Sequence, residues 1–137
     1  ARYAKICQEQ AIVPIVEPEV LIDGSHTLER CQEVTETVLH KVFSALYQYG
    51  VSLEHIILKP SMVSSGKNAP EKSSINEVAK ATVKILLRTV PAAVPTINFL
   101  SGGHSSELST AFLNEMHNFH PHLPWNLSFS YGRALQD

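Results

Sequence analysis

Cysteine is scarce in this sequence: 137 residues include two, Cys7 and Cys31. Two thiols are too few for a disulfide scaffold and have no metal-like spacing, so a reduced, cytoplasmic setting is expected. Charge imbalance is also small. Eleven basic residues against 13 acidic ones leave a formal net charge of −2, which gives no field to gather nucleic acid. No apolar run approaches the roughly 18 residues of a membrane span. No basic segment followed by an apolar one opens the chain, so no signal peptide is expected. Low-complexity tracts and domain boundaries are missing as well. What remains is ordinary globular composition, 44% hydrophobic with 6 Gly and 8 Pro, at roughly the size of one domain. The chain starts Ala1-Arg2-Tyr3 and stops at Ala134-Leu135-Gln136-Asp137, in the opening of a helix. A piece of a longer protein is expected.

Four short apolar runs organise the chain: Ile12–Val16, His55–Leu58, Thr96–Leu100 and Asn126–Ser130. Each has the length of a strand. Helical periodicity fills the gaps. From Thr27 to Tyr49 the stripe is Leu28, Cys31, Val34, Val38, Val42 and Leu46, with Gly50 beyond the end. From Ile75 to Val90 it is Ala79, Val83, Leu86, Leu87 and Val90, opened by a Ser74/Glu77 capping box and stopped by Pro91. From Ser106 to Asn118 it is Leu108, Ala111, Phe112 and Met116. Residues Ser61–Ser74, rich in Ser, Gly, Asn and Pro, read as a loop. The order is β-α-β-α-β-α-β, with strand starts roughly 30–45 residues apart, which predicts an α/β fold with a parallel sheet and right-handed crossovers. Pro14 lies inside the first run and counts against a central strand there.

In parallel α/β folds functional residues gather where strands end. The four runs are followed by Glu17-Pro18-Glu19, Lys59-Pro60, Ser101-Gly102-Gly103 and Tyr131-Gly132-Arg133. These should converge on one rim. Lys59 closes an apolar strand, and Pro60 biases it to extended backbone. Desolvation there disfavours the ammonium, and a neutral amine is what Schiff-base chemistry needs. The same place also suits a lysine that extends into solvent along its aliphatic stem. Glu17 or Glu19 would deliver the proton to a departing hydroxyl, or both are solvated loop carboxylates. The two glycine segments, with Arg133 as a bidentate clamp, have the parts of a phosphate site, although Gly-Gly alone also serves a plain turn. The His117–His122 stretch lacks a partnering carboxylate or cysteine cluster and reads as a solvated connection, not a metal site. Cys7, Cys31, Trp125 and Tyr131 read as packing residues.

Four segments then resemble one family in register. Ile12–Glu19, Leu58–Val63, Phe99–Gly103 and Phe129–Leu135 are similar to class I fructose-1,6-bisphosphate aldolase, over essentially the whole chain and in the same order. The resemblance implies a TIM (β/α)8 barrel of which residues 1–137 hold the last four β/α units, strands 5–8. It implies reversible cleavage of fructose 1,6-bisphosphate to dihydroxyacetone phosphate and glyceraldehyde 3-phosphate, without metal or cofactor. By motif, Lys59 is the Schiff-base lysine, Glu17 the general acid/base and Glu19 its electrostatic neighbour. Leu100, Ser101, Gly102, Ser130, Gly132 and Arg133 bind substrate phosphate. A cytoplasmic homotetramer is the implied assembly. Ser61 departs from the family, which commonly has Asn beside the lysine, and so does the His117–His122 stretch. A barrel of this kind needs about 250 residues, so the isolated chain is expected to be inactive. Two rivals stay open: another Schiff-base phosphate-sugar enzyme, such as a transaldolase, and a non-catalytic interaction protein that keeps the fold.

Overall fold

Pro14 has no N–H to give to a ladder, yet its carbonyl accepts a hydrogen bond from the Ile57 N–H at 3.0 Å. The proline therefore stands immediately before the first strand, where it is tolerated. The computed structural model describes residues 1–136. Its strands are β1 (Ile15–Val16), β2 (Ile57–Leu58), β3 (Thr96–Phe99) and β4 (Asn126–Phe129). The helices are α1 (Arg2–Glu9), α2 (Leu28–Gln48), α3 (Ile75–Thr89), α4 (Ser106–Phe119) and α5 (Arg133–Gln136), and a 3₁₀ turn covers Leu53–His55. Among the described residues no helix is long and apolar enough to cross a membrane.

The sheet is parallel throughout, in the order β1-β2-β3-β4. Strands added one after another on the same side, each through a right-handed crossover, put every connecting helix on one face. Accordingly α2 packs on α3 and α3 on α4. The register row Val16, Leu58, Ile97, Leu127 faces these helices, with Leu58 and Ile97 fully buried. The alternate row, Ile15, Ile57, Thr96 and Asn126, lies on the helix-free face and is partly or wholly exposed. A sheet wound in one direction, covered on one side and bare on the other, is an arc of a (β/α)8 barrel. The bare side is its lumen face.

The core lies between sheet and helices: Leu39, Phe43 and Leu46 of α2, Val78, Val83 and Leu86 of α3, and Phe112 and Met116 of α4 close on Leu58, Ile97 and Phe99. Each such side chain contributes about 1.5–3 kcal/mol by leaving water. Ser74 and Glu77 form the capping box that starts α3. Gln8 of α1 clamps the opposite end, its amide donating to the carbonyls of Ser52 and His55 and accepting from the Ser52 N–H.

Several sequence expectations need correction. On α2 the buried positions are Cys31, Thr35, Leu39, Phe43 and Leu46. Val34, Val38 and Val42 are only half-buried, because that side of the helix turns toward the open β1 edge. Leu87 on α3 and Leu108 on α4 are exposed, since α3 directs Val78, Val83 and Leu86 inward and α4 directs Ser109, Phe112 and Met116. The first strand is Ile15–Val16, shorter than the run that begins at Ile12. Cys7 is half-buried on α1, not a core residue. Residues 61–74 are irregular, as expected of a loop, but 61–66 are buried.

Candidate active site

Backbone pairing runs past the ends of the strands and draws the four following segments onto one rim. The Lys59 N–H donates to the Val16 carbonyl at 2.7 Å, Leu100 N–H to Pro60 at 3.1 Å, and Ser130 N–H to Phe99 at 2.8 Å. All four segments therefore leave the same end of the sheet, those after β3 and β4 two residues farther out than Glu17 and Lys59.

On this rim the Lys59 Nζ lies 3.3 Å from Glu17 Oε1. The lysine side chain is 19% exposed and the glutamate 46%. The lysine side chain is thus mostly covered, while its partner is half open to solvent. Both continue the alternation of the bare face, Glu17 two residues after Ile15 and Lys59 two after Ile57. Proline follows each of them and stiffens the backbone that carries the pair. Glu19 is exposed, and among the described residues Glu17 is the one carboxylate paired with Lys59.

The second strand pair supplies the glycine segments. Gly102 and Gly103 have φ of +64° and +88°, a left-handed turn that side-chain-bearing residues resist. Ser101, buried, enters this turn, and its carbonyl accepts from the backbone N–H and ring Nδ1–H of His104, at 3.2 and 3.0 Å. The far side of that ring faces Ser64 Oγ at 3.5 Å, and the ring stacks edge-on against Phe112. Burial holds the imidazole below its ordinary value, against the opposing pull of the Ser101 carbonyl. Leu100 is buried and fixes the start of the turn. Beyond β4, Ser130 is half-buried, whereas Gly132 and Arg133 are exposed. Tyr131 between them is buried against Phe129, and burial raises its hydroxyl pKa. It anchors a segment whose next two residues reach solvent.

The geometry brings Glu17 and Lys59 into contact. It leaves Arg133 beyond the end of β4, at the start of α5, with β3 between that strand and β2. A cleft of about 690 Å³ also reaches Glu17, but its walls are Tyr3, Ile15, Val16, Val38 and Val42, beside the open sheet edge, and Lys59 is not among them. His117 is tied by Nδ1 to the Leu113 carbonyl of its own helix. Sequence reasoning missed His104, although a histidine directly after a Gly-Gly turn was a usable signal. It also missed the hydrogen bond that the Ser61 Oγ accepts from the Val20 N–H, which no local pattern encodes.

Comparisons with known proteins point the same way. A family model described as fructose-bisphosphate aldolase class-I matches residues 1–137. A Xanthomonas axonopodis protein named "Probable fructose-bisphosphate aldolase class 1" is 61% identical over 136 residues, covering 99% of this chain and 40% of that protein. Fructose-bisphosphate aldolase B of Gallus gallus is 58% identical over 136 residues, covering 99% of this chain and 37% of that protein. The solved aldolase from Plasmodium falciparum, crystallised with TRAP and a small-molecule inhibitor, superposes with a TM-score of 0.95 at 52% identity. That match covers 98% of this chain and 39% of the other. The chain thus spans well under half the length of the relatives it matches.

Proposed function

From the chain's membership of the class I fructose-bisphosphate aldolase family, we propose that it carries the Schiff-base half of an enzyme that reversibly cleaves fructose 1,6-bisphosphate to dihydroxyacetone phosphate and glyceraldehyde 3-phosphate. The observation that carries this reading is the 3.3 Å contact between Lys59 and Glu17 at the C-terminal ends of adjacent parallel strands.

An ammonium against a carboxylate already holds the proton that the reaction needs. Passing it from Nζ to Oε1 leaves a neutral amine beside a carboxylic acid. The amine lone pair attacks the substrate ketone, forming the C–N bond. Proton transfer from nitrogen to oxygen then gives the carbinolamine. Glu17 donates its proton to the carbinolamine hydroxyl, water leaves, and the nitrogen lone pair closes the iminium. Glu17, left as a carboxylate by that step, takes the C4 hydroxyl proton, and the C3–C4 bond breaks as the C4 oxygen becomes the aldehyde carbonyl. The electron pair of that bond flows into the iminium, leaving an enamine on Lys59 and releasing the aldehyde. Protonation at carbon and hydrolysis return the second product and the free lysine.

Glu19 keeps the local field negative beside the amine. The Ser101-Gly102 turn, with Leu100 fixing its start, and Ser130, Gly132 and Arg133 hold a substrate phosphate. Glycine backbone approaches the anion closely, and the guanidinium meets it with two parallel N–H bonds. The four strands serve as strands 5–8 of the complete barrel, and the complete protein works as a cytoplasmic homotetramer. One relative, from Arabidopsis thaliana, is named a cytosolic aldolase.

The test is borohydride reduction of a full-length aldolase carrying this segment, in the presence of dihydroxyacetone phosphate. A stable adduct should map to Lys59 and vanish in Lys59→Met. An adduct on Lys41, Lys67 or Lys72, or no adduct, would overturn the reading.

A further inference from the structure

We infer that Ser61 is a positioning residue for the Glu17–Lys59 pair, acting through the hydrogen bond its Oγ accepts from the Val20 N–H. The inference rests on the proposed roles of Glu17 and Lys59.

The chain leaves the sheet after Val16, and Glu17 sits in the short stretch before Val20. Both ends of that stretch are held by one three-residue segment. The Lys59 N–H binds the Val16 carbonyl at 2.7 Å, and the Ser61 Oγ receives the Val20 N–H at 2.8 Å. The glutamate is therefore suspended between two bonds that both originate beside the amine it must serve. Pro18 and Pro60 stiffen the two spans, so a shift at either anchor passes to the carboxylate instead of being absorbed.

Ser61 is buried, and it lines a narrow crevice with Val20, Ser101 and Gly102. Water is poorly placed to replace its oxygen, and a hydrogen bond shielded in this way is stronger than one in solvent. Removing the hydroxyl leaves the Val20 N–H without its acceptor and moves the far anchor of the Glu17 stretch out to Ile22, whose carbonyl accepts from the Lys67 N–H at 2.7 Å. Carbinolamine dehydration depends on proton delivery over a short, directed path, so it is the step that loosening harms. Phosphate binding, carried by the neighbouring strand ends, stays largely intact.

The experiment compares Ser61→Ala and Ser61→Thr with the unaltered full-length enzyme carrying this segment, using steady-state kinetics, borohydride trapping of the iminium and thermal melting. In Ser61→Ala, kcat should fall by about 10–100-fold, the scale of a small misplacement of a catalytic group. KM should stay within about threefold, because substrate binding is not what is lost. Iminium trapping should slow in parallel with kcat. Ser61→Thr keeps the oxygen and should restore most of the rate. Wild-type kcat and trapping rate in Ser61→Ala would overturn the inference and leave the lysine assignment standing. Loss of activity in both variants in step with melting temperature would also overturn it, by making Ser61 merely structural. Failure to trap Lys59 in the unaltered enzyme would instead remove the reading beneath it.

Discussion

The backbone of Gly66 lies so close to that of Gly24 that a Cβ on Gly66 would stand 2.3 Å from the Gly24 carbonyl oxygen. Around this contact the Gly66 N–H donates to His26, Lys67 N–H to Ile22 and Asn68 N–H to Gly24. At this point the loops that follow β1 and β2 are laced together backbone to backbone. Gly66→Ala must push two backbones apart, with no flexible side-chain tip to yield. In a full-length aldolase carrying this segment it should cost at least about 1–3 kcal/mol, the range for overpacking. Chemical denaturation measures this, and an unchanged midpoint would show that the loops separate freely.

Gly132 presents the opposite case, since a Cβ there meets nothing within 4 Å among the described residues. Gly132→Ala should leave stability within about 0.5 kcal/mol of the parent, as at an ordinary surface position. It should still weaken phosphate binding if the backbone approaches the anion. Arg133→Ala should weaken bisphosphate binding by about 1.5–3 kcal/mol, and Arg133→Lys should also lose affinity because a point charge cannot replace the planar fork. Competitive inhibition by inorganic phosphate reports all three variants. Unchanged inhibition would place the anion elsewhere.

His104 should make stability pH-dependent. Burial holds its folded-state pKa below the ordinary 6.5. Above that value both folded and unfolded chains carry a neutral ring. As pH falls through it, the unfolded chain takes up the proton first, so the fold loses stability until the lower, folded-state value is reached. Lys67 and Lys72 line the pocket on one side of the ring and His26 the crevice on the other, and among the described residues no carboxylate lines either. Melting temperature should drop between about pH 7.5 and 5.5 more steeply in the parent than in His104→Gln. Parallel curves would refute the assignment.

The start of α3 gives an acid-side counterpart. Glu77 accepts from the Ser74 backbone N–H and hydroxyl, and these bonds hold its carboxyl below the ordinary 4.5. Their contribution is present above that value and fades as pH falls through the folded-state pKa. Ser74→Ala removes the cap itself and should cost about 1 kcal/mol. Denaturant midpoints at neutral pH check this, and a shift of the opposite sign would rule out the cap as stabilising.

As an isolated polypeptide, this chain should not behave as an ordinary monomer. Val13, Ile15 and Phe129 are exposed, and β1 and β4 both offer unpaired sheet edges. Aggregation, or a two-fold dimer that rebuilds an eight-stranded ring, is expected, without fructose 1,6-bisphosphate cleavage at a full-length rate. Sedimentation and an aldolase assay decide it. A monodisperse monomer, cooperatively unfolding and fully active, contradicts the expectation.

The strand positions were legible because each apolar run ends at a chemically distinct residue: Glu17, Lys59, Ser101 or Tyr131. The Ser74/Glu77 box was legible because capping is local. The α2 stripe was misjudged by one position, because valines at 34, 38 and 42 have the same spacing as Thr35, Leu39 and Phe43, and only the location of α3 separates the two faces. That a carboxylate should stand beside Lys59 followed from parallel strands sharing a rim, whereas the choice of Glu17 over Glu19 came from the family resemblance alone. The bonds from Val20 to Ser61 and from His104 to Ser101 depend on the path of irregular backbone, which no periodicity encodes.

The strictly sequential order of the sheet bears on how the chain is made. Each strand pairs with one that left the ribosome roughly 30–40 residues earlier, so loop-closure entropy is met in small, comparable instalments. The structure can grow by annealing one unit at a time onto an existing edge during synthesis. Val16 and Lys59 meet as soon as the second unit is complete. Glu17 and Lys59 can thus be brought together before β3 and β4 have joined the sheet.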